Sequence, residues 1–194
     1  FTKKIKNITK AKYVLLTNSG TSALFMALKK INVSQCEVLL PSMTFVATSN
    51  AIIHAGGIPH FIDSNKDNLN VDYLNLKNYL SDICYIRNNK CINKKTKNTI
   101  KAIVVVHAYG YPANIIKLRS LAKKYKIIII EDAAGALGSK FDDRHVGTFS
   151  RIGILSFNGN KTVTTGMGGA MLFKYKNDYD SVKHLTSTAK INHD

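Results

Sequence analysis

Cysteine, proline and tryptophan are scarce in this 194-residue sequence, which has three cysteines, three prolines and no tryptophan. The cysteines Cys36, Cys84 and Cys91 are odd in number and form no Cys-x-x-Cys pair, so neither a disulfide framework nor a zinc site is indicated. The six histidines show no metal-ligand spacing, and we expect no metal. Free cysteines favour a reducing compartment, and we therefore expect a cytoplasmic location.

Long apolar runs are missing as well. No run approaches the roughly 20 residues that a membrane span needs, so we expect no membrane partner. Residues 1–6 lack the apolar core of a signal peptide. The sequence does not begin with methionine, and we expect it to start inside a longer protein.

Acidic residues are few, with 12 Asp and Glu against 28 Lys and Arg and a net charge of +16. A basic surface can bind nucleic acid or anionic substrates. The lysines are scattered, and arginine is limited to Arg87, Arg119, Arg144 and Arg151. Nucleic-acid sites usually cluster basic residues on one face and add arginine or aromatic side chains. We therefore expect no nucleic-acid partner, and a basic nucleic-acid-binding module is a remote alternative.

Strand-like and helix-like segments alternate along the chain. Short apolar runs predict strands at 37–40, 58–62, 100–106, 127–130, 152–157 and 170–173. Helical spacing of apolar residues predicts helices at 23–31, 45–54, 73–80, 114–125 and 179–186. The polar segment 87–98 predicts an exposed loop. This alternation predicts an α/β fold of three layers, α/β/α, around a mostly parallel sheet.

Polar residues follow the predicted strands, at the edge where parallel sheets collect ligands. Asp132 follows the strand at 127–130, and His107 ends the strand at 100–106, where a histidine is more often structural than catalytic. Residues 18–22 form a small-residue turn before a helix, and free amides with the helix dipole favour an anion there. A dinucleotide-binding domain shares the alternating pattern, but no Gly-x-Gly-x-x-Gly follows the first strand.

Lys161, on a glycine-flanked turn within residues 156–169, completes a possible pyridoxal phosphate site. Lys161 is the candidate Schiff-base nucleophile, and Asp132 would keep the pyridine nitrogen protonated so that the ring accepts electrons. Taken alone, Lys161 is one of many surface lysines and Asp132 is a turn or cap residue. Their occurrence together with the turn at 18–22 favours the functional interpretation.

Other residues would complete such a site. Gly20, Thr21 and Ser22 would bind the phosphate, and a helix cap made of Ser19 and Thr21 is a structural alternative compatible with that role. Ser156 would add a hydroxyl to the same phosphate, or simply end a strand. Phe45 would stack on the cofactor ring, although a lone phenylalanine is more often part of a core.

Five segments in order carry a resemblance to a known family. They are NSGTSAL (18–24), PSMTFVAT (41–48), VHAYG (106–110), EDAA (131–134) and SFNGNK (156–161). The sequence resembles the DegT/DnrJ/EryC1/StrS sugar aminotransferases, which are fold-type I pyridoxal phosphate enzymes. The resemblance implies that residues 1–194 form the cofactor-binding large domain of an aspartate-aminotransferase-like fold. It also implies a fragment that lacks an N-terminal segment and a C-terminal small domain.

The resemblance implies roles and substrates too. Lys161 would bind the cofactor covalently, Asp132 would contact the pyridine nitrogen, Phe45 would stack on the ring, and Gly20, Thr21 and Ser156 would bind phosphate. Segments 93–96, 157–161, 164–166 and 185–190 are most similar to the legionaminic acid and bacillosamine branch. The implied substrate is a nucleotide-linked 4-keto-6-deoxy-N-acetylhexosamine, giving a UDP-4-amino-4,6-dideoxy-N-acetylglucosamine-type product. Glutamate would be the amino donor, and the full-length protein would be a homodimer.

Two alternatives stay within the same fold. One is a sugar dehydratase, but enzymes of that kind carry histidine where this chain has Lys161. The other is a non-catalytic regulatory relative. The sequence also departs from the family at Gly135, where many members have Gln or Glu beside the ring, and at Met167, in a stretch that is usually all small residues.

Overall fold

The computed structural model describes residues 1–187 and alternates strands and helices as the sequence predicts. The strands are β1 (Tyr13–Thr17), β2 (Glu37–Pro41), β3 (Ile58–Ile62), β4 (Cys84–Arg87), β5 (Lys90–Asn93), β6 (Thr99–Val106), β7 (Ile128–Asp132), β8 (Lys140–Phe141), β9 (Arg144–His145), β10 (Ile152–Ser156) and β11 (Gly169–Phe173). The helices are α1 (Thr2–Thr9), α2 (Gly20–Lys30), α3 (Ala47–His54), α4 (Tyr73–Ile83), α5 (Ile115–Tyr125) and α6 (Lys176–Thr186).

The main sheet has the strand order β1-β11-β10-β7-β6-β2-β3. Neighbouring strands from β10 to β3 pair in parallel, whereas β11 pairs antiparallel with both β10 and β1. The mostly parallel sheet that the sequence predicts is therefore confirmed. Because parallel strands end at the same edge, the carboxyl ends of β2, β6, β7 and β10 lie together, and the candidate site residues follow them.

Helices cover both faces of the sheet, which confirms the three-layer arrangement. On one face α2, α3 and α6 pack on the sheet through residues that include Leu28, Ile52 and Val182. On the other face α4 and α5 pack through residues that include Leu80 and Leu118. The central strands contribute fully buried aliphatic side chains to both layers, and each such side chain stabilises the fold by about 1.5–3 kcal/mol.

The exposed loop predicted at 87–98 is wrong in its secondary structure, although most residues of the segment are exposed. The segment contains a hairpin, in which β4 pairs antiparallel with β5 and β5 continues the sheet beside β6. Asn88 and Asn89 have φ of 49° and 58°, the positive values that a two-residue hairpin turn needs and that asparagine tolerates. Cys91 is completely buried. The prediction failed because it weighed the polar composition and overlooked the Asn-Asn turn signal.

The sequence analysis also overlooked α1, β1 and the small hairpin of β8 and β9. The helix predicted at 179–186 begins three residues earlier, at Lys176. Of the segment at 185–190, residues 188–190 lie outside the described part of the chain. Within residues 1–187 no helix has the length and apolar character needed to cross a bilayer.

Candidate active site

The start of α2 lies against the end of β10. Ser19 caps α2, and its hydroxyl accepts a hydrogen bond from the amide of Ser22 at 3.0 Å. At the next position, Gly20, a Cβ would lie 2.8 Å from Cβ of Ser156. Only glycine lets the helix approach Ser156 this closely. The first-turn amides of α2, which have no carbonyl partner within the helix, therefore lie beside the Ser156 hydroxyl.

Asp132 ends β7 and is held by two hydrogen bonds. Its Oδ1 accepts from the amide of Ala134 at 3.0 Å, and its Oδ2 accepts from the hydroxyl of Thr48 at 3.4 Å. Burial raises the pKa of Asp132, and the Ala134 amide and the charge of Lys161 oppose this only in part. The carboxyl keeps some contact with solvent through the cleft, but protein surrounds it closely enough for desolvation to dominate. A cationic partner in the cleft would stabilise its ionised form.

Lys161 lies in the loop between β10 and β11. Its amide donates to the carbonyl of Asn158 at 3.0 Å, which closes a turn. Its Nζ lies 5.7 Å from the ring centroid of Phe45. The Phe45 side chain is 68% exposed, so the aromatic ring is not part of the core. An exposed ring beside an amine provides a flat apolar surface on which another ring can stack.

Two adjoining clefts join these groups. The first has a volume of about 210 Å³ and includes Gly20, Thr21 and Ser156 in its lining. The second has a volume of about 440 Å³ and includes His107 and Gly135. The residues that line both clefts are Phe45, Asp132, Ala134, Asn160 and Lys161. Together the clefts have the size of a typical small-molecule site, about 300–1,000 Å³.

The structure therefore places six of the seven predicted site residues in the lining of the first cleft: Gly20, Thr21, Phe45, Asp132, Ser156 and Lys161. Ser22 is the exception, because its hydroxyl lies 2.9 Å from that of Ser19 and it does not line the cleft. Its side chain supports the cap of α2 that Ser19 forms.

Thr44 and Thr48 are site residues that the sequence analysis did not assign. Thr48 donates to Asp132, and its hydroxyl lies 2.8 Å from that of Thr44. Thr44 lies in the bend between β2 and α3 and Thr48 in the first turn of α3, so a threonine just before a helix and another in its first turn was the signal that would have found them.

His107 lies behind Asp132 and is completely enclosed. Its Nδ1 accepts a hydrogen bond from the amide of Ala113 at 3.1 Å, and its Nε2 lies 3.3 Å from Oε2 of Glu131. Glu131 also accepts hydrogen bonds from the amides of Gly147 and Ser150. The structural role that the sequence favours for His107 agrees with these contacts, and the residue lies at the wall of the second cleft.

These groups match the chemical requirements of pyridoxal phosphate. The amide-rich helix start with Ser156 suits a phosphate, the desolvated carboxyl of Asp132 suits a protonated ring nitrogen, and Lys161 supplies an amine. The close approach of Gly20 to Ser156 leaves the helix start without a side chain that would fill the cradle. Within residues 1–187 no cluster of three His, Cys, Asp or Glu side chains could hold a metal ion.

A fold of this kind with such a cleft is shared with known aminotransferases. Residues 1–192 match the DegT/DnrJ/EryC1/StrS aminotransferase family. The chain belongs to this family, as its sequence resemblance indicates.

Curated relatives cover most of the chain. It is 36% identical over 186 residues to a GDP-perosamine synthase of Escherichia coli O157:H7, covering 95% of this chain and 47% of the relative. It is 35% identical over 173 residues to EpsN of Bacillus subtilis, a putative pyridoxal phosphate-dependent aminotransferase. The match covers 89% of this chain and 42% of the relative. It is 35% identical over 176 residues to a UDP-4-amino-4,6-dideoxy-N-acetyl-beta-L-altrosamine transaminase of Campylobacter jejuni. The match covers 91% of this chain and 43% of the relative. The chain thus spans about half the length of the curated relatives it matches.

Solved structures show the same fold. An aminotransferase of the family from Brucella abortus superimposes with a TM-score of 0.89 at 27% identity, over 100% of this chain and 50% of that one. Helicobacter pylori PseC, an aminotransferase involved in the biosynthesis of pseudoaminic acid, superimposes with a TM-score of 0.83 at 27% identity. The superposition covers 100% of this chain and 48% of PseC. These similarities confirm the fold-type I class that the sequence predicts.

Proposed function

We propose that this chain is the cofactor-binding large domain of a pyridoxal phosphate-dependent aminotransferase that acts on a nucleotide-linked keto sugar. The observation that carries the proposal is the convergence of Lys161, Asp132 and the start of α2 on one cleft. These groups come from three separate parts of the chain. A single ligand with a nitrogen-containing ring and a phosphate could contact all three. Family membership and the names of the relatives support the same activity.

Each group has a distinct task in this proposal. Pyridoxal phosphate, when bound, supplies a ring that accepts electrons from the reacting carbon. The carboxylate of Asp132 holds a proton at the ring nitrogen, and Thr48 and the Ala134 amide hold that carboxylate in place. The start of α2 binds the phosphate together with the Ser156 hydroxyl. Phe45 covers one face of the ring and excludes water from it.

Lys161 both holds the cofactor and moves protons. Once the donor's amine had replaced Lys161 on the cofactor, the free Nζ would accept the proton from Cα of the donor, and it would later give a proton to the sugar carbon that receives the amino group. The donor that we propose is glutamate. A histidine at this position would transfer protons but would not bind the cofactor covalently, and Lys161 therefore favours an aminotransferase over a dehydratase.

Cofactor binding is tested on the full-length protein that contains this chain. Adding pyridoxal phosphate should produce the absorption band of the covalently bound cofactor, and reductive trapping followed by mass spectrometry should place its mass on the peptide containing Lys161. Lys161→Ala should abolish both signals. Lys90→Ala, at the tip of the β4–β5 hairpin, removes an equal charge far from the cleft and should leave both unchanged. Trapping at another lysine would reject the assignment.

The proposed substrate is a 4-keto-6-deoxy-N-acetylhexosamine linked to a nucleotide, with a UDP-4-amino-4,6-dideoxy-N-acetylglucosamine-type product. The name of the C. jejuni transaminase supports an N-acetylated UDP sugar. The legionaminic acid and bacillosamine branch is proposed from the resemblance of segments 93–96, 157–161, 164–166 and 185–190. The similarity to the E. coli GDP-perosamine synthase supports a GDP sugar instead. The holoenzyme can be incubated with glutamate and either the UDP-linked or the GDP-linked keto sugar. Mass spectrometry of the products then shows which of the two is the substrate.

The same assay tests the reaction class. An amino sugar as the product supports the aminotransferase, and a deoxy sugar would support the dehydratase. No turnover by a protein that binds the cofactor would favour the regulatory alternative. We further propose that the full-length protein carries an N-terminal segment and a C-terminal small domain beyond this chain and acts as a homodimer, which light scattering of the full-length protein tests.

A further inference from the structure

A second cleft lies at the opposite end of the sheet from the candidate active site. It has a volume of about 530 Å³ and lies at the amino ends of β1 and β10, where Tyr13 and Ile152 each pair with Phe173. Because β10 is five residues long, this cleft is on the order of 15 Å from the cleft of Lys161. None of the proposed cofactor contacts lines it.

The lining of this basic cleft is dominated by positive charge. Five of its residues are cations and one is a carboxylate, and they are Lys10, Lys12, Lys140, Asp143, Arg144 and Lys174. The cations come from three separate walls: the turn after α1, the β8–β9 hairpin and the end of β11. By contrast, the lining of the first active-site cleft contains one cation and one carboxylate, Lys161 and Asp132.

These cations lack acidic partners. In the described part of the chain, none of the five side chains has a carboxylate oxygen within 4.0 Å. Arg144 donates to Thr148, both through Nε to the hydroxyl at 3.0 Å and through a second nitrogen to the carbonyl. Bringing unpaired like charges together around a concavity is unfavourable unless an anion enters it.

A buried hydroxyl provides an independent indication. Ser150 lines the basic cleft and also the neighbouring cleft beside α5, and it is 8% exposed. Its Oγ is the only buried side-chain oxygen or nitrogen within residues 1–187 that has no hydrogen-bond partner. Buried polar groups are nearly always paired, and an exception calls for an unseen partner such as a ligand or water.

We propose that the basic cleft is a binding site for a small anion that carries a diphosphate group. Several cations on three walls match a group with several negative charges. The concave shape and volume suit a small molecule, whereas nucleic acid binds along an extended basic surface. The Ser150 hydroxyl supplies a neutral donor.

The test is calorimetric titration of inorganic pyrophosphate into full-length protein that has been saturated with pyridoxal phosphate, so that the phosphate cradle at α2 is already filled. One saturable site is expected. The triple variant Lys12→Gln/Lys140→Gln/Lys174→Gln should bind about tenfold more weakly or worse. These three side chains make no hydrogen bond or ion pair in the described residues, so the variant should fold.

The matched control is Lys77→Gln/Lys90→Gln/Lys95→Gln, which removes the same charge from exposed positions in α4, in β5 and just after β5, outside the basic cleft. It should bind within about twofold of the unchanged protein, since distant exposed charges are screened. Equal weakening by both triple variants would indicate diffuse attraction and overturn the proposal, as would unchanged binding by the cleft variant. If the protein does not bind pyridoxal phosphate, pyrophosphate can still be titrated into it in the same way. Failure of the proposed function is therefore distinguishable from failure of the proposed anion site.

Two further arms define the ligand. If a nucleoside diphosphate binds more tightly than pyrophosphate, the site recognises a nucleotide. If the two bind with equal affinity, the site recognises the diphosphate group alone. Ser150→Ala should weaken pyrophosphate binding without lowering the free energy of unfolding, because the hydroxyl it removes is unpaired in the free protein. Lost stability with unchanged binding would overturn the role of Ser150.

Discussion

Gly20 and Ser156 are in direct contact where the first turn of α2 meets the last residue of β10, and a Cβ on Gly20 would lie 2.8 Å from Cβ of Ser156. This contact joins a helix near the start of the chain to a strand more than a hundred residues later. It places backbone amides beside a hydroxyl, and the proposed phosphate site depends on it.

Gly20→Ala should therefore separate α2 from β10. We expect a loss of about 1–3 kcal/mol in the free energy of unfolding, because the added methyl overpacks the contact, and weaker binding of pyridoxal phosphate. Urea unfolding and a cofactor titration measure the two effects. Gly159→Ala is the control, since a Cβ there would have no neighbour within 4 Å. Equal effects of the two variants would contradict the explanation.

Asp132 should make the stability of the cofactor-free protein depend on pH in an unusual direction. Burial raises its pKa, so between the unfolded value of about 3.9 and the raised folded value the folded state binds more protons. The free energy of unfolding should fall as pH rises through that window. Asp132→Asn lacks the titrating group, so its stability relative to the unchanged protein should increase across the window. Urea unfolding at several pH values measures the difference, and a constant difference would contradict it.

Glu37 should have the opposite pH dependence. It is buried, and although burial opposes its ionisation, hydrogen bonds from Thr96, Asn93 and His60 together lower its pKa. Its stabilising contribution should be complete above about pH 4.3 and should be lost as pH falls through the lowered folded pKa. Glu37→Ala should cost about 1–3 kcal/mol at neutral pH by leaving buried donors unpaired.

The measurement for Glu37 is again urea unfolding against pH, here between neutrality and acid. Thr96→Val removes one of the hydrogen bonds while it leaves the carboxylate in place, and it should cost about 1 kcal/mol. A Glu37→Ala variant whose deficit did not shrink on acidification would show that the lost packing, and not the charge, causes the effect.

Arg151 and Asp178 join the start of β10 to α6. Nε and a terminal nitrogen of Arg151 donate to the two oxygens of Asp178, each at 2.7 Å, and this pairing lowers the pKa of the carboxyl. Arg151→Lys cannot reproduce the two parallel bonds. We expect a loss of about 1 kcal/mol in the free energy of unfolding, moderated by the partial exposure of Arg151. Lys176→Ala, which breaks an exposed ion pair with Asp180, should leave the urea midpoint unchanged.

Much of the architecture was predictable from local pattern. The apolar runs at β2, β6 and β7 are buried on both faces, as their continuous hydrophobicity indicates. The β4–β5 hairpin was missed because its strands are only four residues long and show no polar–apolar alternation. The polar composition of the segment also concealed the two-residue turn at Asn88 and Asn89.

The kinds of chemical group in the site were predictable from the sequence. Lys161 lies on a glycine-flanked turn, Asp132 follows an apolar strand, and the turn at 18–22 consists of small residues before a helix. Their convergence was not visible, since it requires strands far apart in the chain to lie side by side in one sheet. Thr48 and the basic cleft also depend on that arrangement. Hydrophobic periodicity acts over a few neighbouring residues and so determined the strands and helices, whereas only the packed sheet decided which side chains meet.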